Sequence, residues 1–209
     1  MFDITAMHET ELPALEERLQ QLLAGEKPLL RLQQAVRLPN LFDNSVSSIV
    51  AETLGDFVMA ATKKSGSTEL NLGGLGLKTL PPRLKETQPW TSLSINGPMT
   101  ELPDWIGDLE GLEEFRAMNV NLHLLPDAFG KLKRLKKIWI AWADLGLIPK
   151  PLRQNTQLEQ LILNHCGIRS LPNWLNELSS LYELNLNENQ VAHLGHGIRS
   201  LASLSILSL

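Results

Sequence analysis

The chain has one cysteine in 209 residues, Cys166, which excludes an internal disulfide framework and predicts a reducing compartment. Long apolar runs are missing too: no stretch approaches the roughly 18 uninterrupted apolar residues that a membrane helix needs. The N-terminus, MFDITAMHETELPALEERL, lacks a basic start followed by an apolar stretch, so neither a Sec-type signal nor a membrane span is expected. Positive charge is in short supply, with 19 Lys and Arg against 23 Asp and Glu and a net charge of -4. That balance predicts no nucleic-acid partner and no attraction to anionic membranes.

Groupings that carry chemistry are equally sparse. Cys166 has no neighbouring acid, which argues against a thiol nucleophile. His193 and His196 flank Leu194-Gly195 without the further Cys or carboxylate that would complete a metal set. Gly73, Gly74 and Gly76 suggest a phosphate loop until the missing Gly-Lys-Ser/Thr is noticed. No catalytic residue, metal or cofactor is expected.

What the chain does have is a period. Leu-Pro or Ile-Pro pairs place prolines at 81, 103, 126, 149 and 172, spaced 22, 23, 23 and 23. An L-x-L element precedes each pair or follows the last: ELNL from 69, SLSI from 92, EFRA from 114, KIWI from 137, QLIL from 160 and ELNL from 183. A further one begins at Ile206-Leu207, and the short interval places one missing residue between Ile95 and Leu102. Repeats of this length signify a solenoid that adds one supersecondary unit per turn.

The unit resembles that of the leucine-rich-repeat family, best seen in LPNWLNELSSLYELNLNENQVAHL, residues 171 to 194. The resemblance implies an α/β solenoid with a curved parallel sheet on its concave face and short helical or 3-10 segments on its convex face. It covers residues 67–209 as about six repeats and a truncated seventh. Where the family usually places a bridging asparagine, this chain has Leu75, Pro98, Val120, Ala143, Cys166 and Asn189. The hydrogen-bonding ladder of that amide is therefore expected only at the last turn, with the early turns less regular and Cys166 buried and inert.

Alternation within KIWIAW gives the same picture from physics alone. A strand there buries Ile138 and Ile140 and sends Trp139 to the opposite face. In the other turns, Trp139 corresponds to Asn71, Ser94, Arg116, Ile162 and Asn185, and Trp142 to Gly74, Gly97, Asn119, His165 and Glu188. Parallel strands lie about 4.8 Å apart, so these residues form rows across one sheet face. Six of the residues near the middle of that polar face, Arg116, Met118, Trp139, Trp142, Ile162 and His165, form a candidate contact patch for a protein partner. The competing reading has Trp142 folding over the strand edge, or the patch meeting a second copy. Trp90, Trp105 and Trp174 are expected to pack, and KLKRLKK, residues 131 to 137, to be a solvated face.

Residues 1–66 lack the repeat and read as a helical cap over the first turn of the solenoid, the competing reading being a separate helical interaction module or a secretion and chaperone segment. One helix is expected from Thr10 or Glu11 with Leu12, Leu15, Leu19, Leu22 and Leu23 on one face, and a short one over 29 to 37. A third, capped by Asp43 or Asn44, carries Val46, Ile49, Val50, Phe57 and Val58 up to the linker KKSGST. The closing segment SLASLSILSL has no polar capping unit, which predicts further repeats beyond it. The alternative is that dimerisation covers the exposed last turn, so the chain is expected to be a monomer or a weak dimer through that open end.

Two functions follow. One is a non-catalytic recognition module that binds a protein on its concave face. The other is the substrate-reading part of a larger enzyme. The layout, helices before Leu-Pro repeats in a cysteine-poor chain, resembles the repeat domains of bacterial type III effectors, including ubiquitin-ligase effectors. The 23-residue unit also resembles plant and animal intracellular Ras-group repeat proteins. These resemblances imply a cytoplasmic location, which for an effector is the host cell's cytoplasm.

Overall fold

The computed structural model describes residues 2–3, 12–24, 36–37, 48–75, 77–86, 89–195 and 197–209. At its N-terminal end, β1 (Phe2–Asp3) pairs in parallel with β2 (Val36–Arg37). Two helices, α1 (Leu12–Ala24) and α2 (Ser48–Ser65), precede the repeats. Seven parallel strands then form one sheet in chain order: β3 (Glu69–Asn71), β4 (Ser92–Asn96), β5 (Glu114–Met118), β6 (Lys137–Ala141), β7 (Gln160–Asn164), β8 (Glu183–Asn185) and β9 (Ile206–Ser208).

The leucines explain why each turn closes. Alternation along β6 leaves Ile138 and Ile140 buried and Trp139 exposed, and β5 and β7 repeat the pattern with Phe115 and Ala117, and Leu161 and Leu163. After each strand the chain returns through a 3-10 helix that starts just beyond the Leu-Pro or Ile-Pro pair, as at Asp104–Asp108, Asp127–Lys131, Lys150–Gln154 and Asn173–Glu177. Proline suits that place because its fixed φ enters the turn without a donor to lose. Close packing of successive returns has a visible constraint at Gly107, where a Cβ would stand 2.4 Å from the carbonyl oxygen of Ala128. The fold is thus a leucine-rich-repeat solenoid, with the one-residue deletion between β4 and β5 where the spacing placed it.

Helices α1 and α2 share the solenoid's hydrophobic core: Leu15, Leu19, Leu54, Phe57, Val58 and Ala61 are continuous with Leu70 and Leu72. Gly55 of α2 lies so near Pro81 that a Cβ would meet its Cγ at 3.0 Å. Lys64 donates to the Leu23 carbonyl at 2.7 Å, tying the end of α2 to the end of α1.

Several expectations need correction. The short helix over 29 to 37 does not extend to its end, because Val36–Arg37 is a strand. A two-residue parallel pair depends on a distant partner and leaves no periodicity in the sequence. Residues 29 to 35, Asp43, Asn44 and Val46 lie outside the described residues. Helix α2 runs through Ser65, so the turn to the repeats begins at Gly66, φ 72°, three residues later than the linker read from composition. Regularity peaks in the middle: β4 to β7 have five residues each, whereas β3, β8 and β9 have three.

Candidate functional site

Register brings the candidate residues together. Arg116 of β5 stands opposite Trp139 of β6, and Trp139 opposite Ile162 of β7, in one row that continues from Asn71 and Ser94 to Asn185. The Arg116 guanidinium lies 5.9 Å from the Trp139 ring centroid and pairs with Glu114 of its own strand. Trp139 is 38% exposed and Trp142 is 49% exposed, so neither indole belongs to the leucine stack. Trp142 does not fold over the edge into the core. It stacks on His165 of the next turn, ring centroids 5.3 Å apart and planes 14° from parallel.

The second row has a backbone signature that the spacing did not reveal. Gly74, Gly97, Asn119, Trp142, His165 and Glu188 all have positive φ. Each turn bends left-handed just past its strand, and the fold imposes this whichever residue is present. Gly and Asn occupy that region at little cost, while a bulky side chain pays about 1–2 kcal/mol. The first three turns use the inexpensive residues. The next three place an indole, an imidazole and a carboxylate there, at φ 55°, 51° and 59°. The run of Gly, Gly and Asn in that row was the available signal.

Met118, Trp139, Trp142 and His165 line one open cleft of about 370 Å³, together with Asn164 and Glu188. Arg116 and Ile162 flank it without lining it. Its floor is Ala141, a small residue between Met118 and Asn164 in register, buried although it points to the concave side. Two larger grooves, about 560 Å³ between the helices and about 530 Å³ beside exposed Leu124 and Leu147, contain none of the six candidate residues.

The surrounding polar groups are mostly engaged in structure. Glu113 accepts from Lys136 and Arg134, each at 2.9 Å, and these contacts, Lys136 first, hold its carboxyl below the usual range. Lys133 donates to the carbonyls of Gly130 and Gln154. The basic run is thus a solvated face that bridges turns. Asn189 makes the expected bridge alone in its row: its amide donates to Leu163 and Leu186 carbonyls, and its oxygen accepts from the Cys166 and Ile168 N–H groups. Burial pushes the Cys166 thiol up to about 11, against a smaller opposing effect of a backbone hydrogen bond from Ala143. Trp90 is buried with its indole N–H donating to Leu84, and Trp105 and Trp174 pack against the core. Among the described residues no group of His, Cys, Asp or Glu could hold a metal; His196 and Gly76 lie outside them.

No protein-family profile matches the sequence, and no curated relative does. Solved structures do. The leucine-rich-repeat domain of the type III effector XopL matches over 97% of this chain and 71% of its own, at 21% identity and TM-score 0.64. A leucine-rich-repeat protein of Leptospira interrogans matches over 76% of this chain, at 24% identity and TM-score 0.53. This chain has the leucine-rich-repeat fold. It spans 46% of the Leptospira protein's length. No helix among the described residues is long and apolar enough to cross a membrane.

Proposed function

We propose that this solenoid is a non-catalytic recognition module that holds a protein partner on its concave face. The anchors are Trp139 and Trp142, with Arg116, Met118, Ile162 and His165 around them. The observation that carries the reading is Trp142: a half-exposed indole kept on left-handed backbone, where Gly or Asn serves the fold better. Exposed Trp and Arg at the centre of a polar face have the composition of a binding hot spot, and a stable complex there buries about 1,600 Å² in total. A net charge of -4 argues against nucleic acid as the partner.

The likeness to the XopL repeat domain favours a bacterial effector that works in the cytoplasm of a host cell. Since that neighbour is one domain of an effector, a second reading makes the same surface the substrate-reading part of a larger enzyme, such as a ubiquitin ligase. Affinity capture from host-cell extract, with the Trp139→Ala/Trp142→Ala chain as control, tests the shared claim. A partner held by the native chain and lost by the double variant is the expected result. Equal capture by both chains removes the concave-face reading.

A further inference from the structure

The cleft beside Trp139 has a chemistry more specific than a generic apolar patch. Its lining combines two indoles and the Met118 thioether with one formally charged side chain, Glu188, and no Lys or Arg. Glu188 is exposed and forms no ion pair among the described residues, unlike Glu113 and Glu114, which hold basic partners. It also has φ 59° on the same left-handed row as Trp142 and His165, so three successive turns place costly residues around one opening.

Indole faces attract cations through their quadrupole, and a carboxylate at the rim supplies the counter-charge. The Trp139 ring already shows this preference, since the Arg116 guanidinium stands 5.9 Å from its centroid. Asn164 also lines the opening. Charge complementarity therefore selects the occupant. We propose that this cleft receives a basic side chain, Lys or Arg, from the protein partner, with its aliphatic stem against Met118, Trp139 and Trp142 and its charged end toward Glu188. This rests on the concave-face reading above and names what that face recognises. An acidic or purely apolar anchor would leave Glu188 repelled or stranded.

The test is a titration of the full chain with the capped peptides Gly-Gly-Lys-Gly-Gly and Gly-Gly-Arg-Gly-Gly, followed by tryptophan emission. Peptides with norleucine or Glu at the centre are the controls. A saturable response in the millimolar range is expected for the basic peptides, about tenfold weaker for norleucine, and absent for Glu. The stronger of the two basic peptides identifies which side chain is preferred. Glu188→Gln should weaken the basic peptides several-fold and Glu188→Lys should abolish their binding, with melting temperature unchanged because the side chain is exposed. Parity of norleucine with Lys and Arg, preference for Glu, no response to any peptide, or indifference to Glu188→Lys overturns the proposal. If partner capture still fails in the double tryptophan variant while any of these results is obtained, the concave-face reading stands and only the basic-anchor inference falls.

Discussion

The indole of Trp142 lies nearly flat against the imidazole of His165, and both residues hold φ above 50° on successive turns. Two opposing terms meet there. The stacked pair contributes about 0.5–1.5 kcal/mol, and the left-handed backbone costs about 1–2 kcal/mol for each bulky residue. Trp142→Asn removes both terms at once, because Asn119 shows that Asn suits this row. Its expected stability equals or exceeds that of the native chain within about 1 kcal/mol. Trp142→Ala loses the stack but keeps a Cβ, so it should melt below the Asn variant. Thermal melting of the three proteins gives the order; an Asn variant several degrees less stable than native would show that Trp142 supports the fold.

Trp139 and Leu161 provide the matching contrast between display and burial. Leu161 of β7 is fully buried, and truncation to Ala should cost about 2–5 kcal/mol. The Trp139 indole is 38% exposed, and its truncation should cost no more than about 1–2 kcal/mol. Urea denaturation measures both. Equal losses would place the indole among the structural residues.

Much of this geometry is written in a two-residue alternation locked to a 23-residue period. That combination put Ile138 and Leu161 inside, and it set Arg116, Trp139 and Ile162 side by side, as the strand register has them. Backbone sign was less accessible: Trp142 and Glu188 share the row of Gly74 and Gly97, but a single Trp or Glu carries no propensity that announces positive φ. The row pattern therefore sets Glu188 beside Trp142 and His165 without marking it as part of the patch, although it lines the same cleft. The β1–β2 pairing escaped for a different reason, since it joins residues more than thirty positions apart through two residues each.

Two asparagines, half-buried Asn189 and fully buried Asn155, should respond in opposite directions to replacement by Leu. Asn189 accepts from the Cys166 and Ile168 N–H groups, and Asn189→Leu leaves both donors without that acceptor. A loss of about 1–3 kcal/mol is expected, with faster amide exchange at Cys166 and Ile168. Asn155 occupies a site that the neighbouring turns give to Leu132 and Leu178, and its Oδ1 is buried without a donor. The carbonyls it serves, Phe129 and Leu132, also accept from the Leu132 and Leu135 N–H groups. Asn155→Leu therefore strands no carbonyl and should be neutral or stabilising by about 1 kcal/mol.

The same burial that makes Cys166 inert gives the fold a dependence on alkaline pH. Its side chain is fully buried, with Sγ 3.3 Å from the Asn164 carbonyl oxygen, and burial raises the thiol from an ordinary value of 9.0 to about 11. The folded chain therefore holds the proton that the unfolded chain releases near 9. The stability this supplies is complete below about pH 9 and is lost as pH rises toward about 11, because ionisation there favours the unfolded state. Lys and Tyr titrate in the same window, so the measurement must be a difference. Cys166→Ala shifts stability by a pH-independent amount from its lost volume, and it should also flatten the decline between pH 9 and 11 relative to the native chain. Alkylation gives a second readout: iodoacetamide should leave the folded chain unmodified at pH 8 and label it rapidly in urea. Fast labelling of the folded protein, or identical pH slopes for the two chains, would mean that the thiol reaches solvent and is not sealed between Ile140 and Asn164.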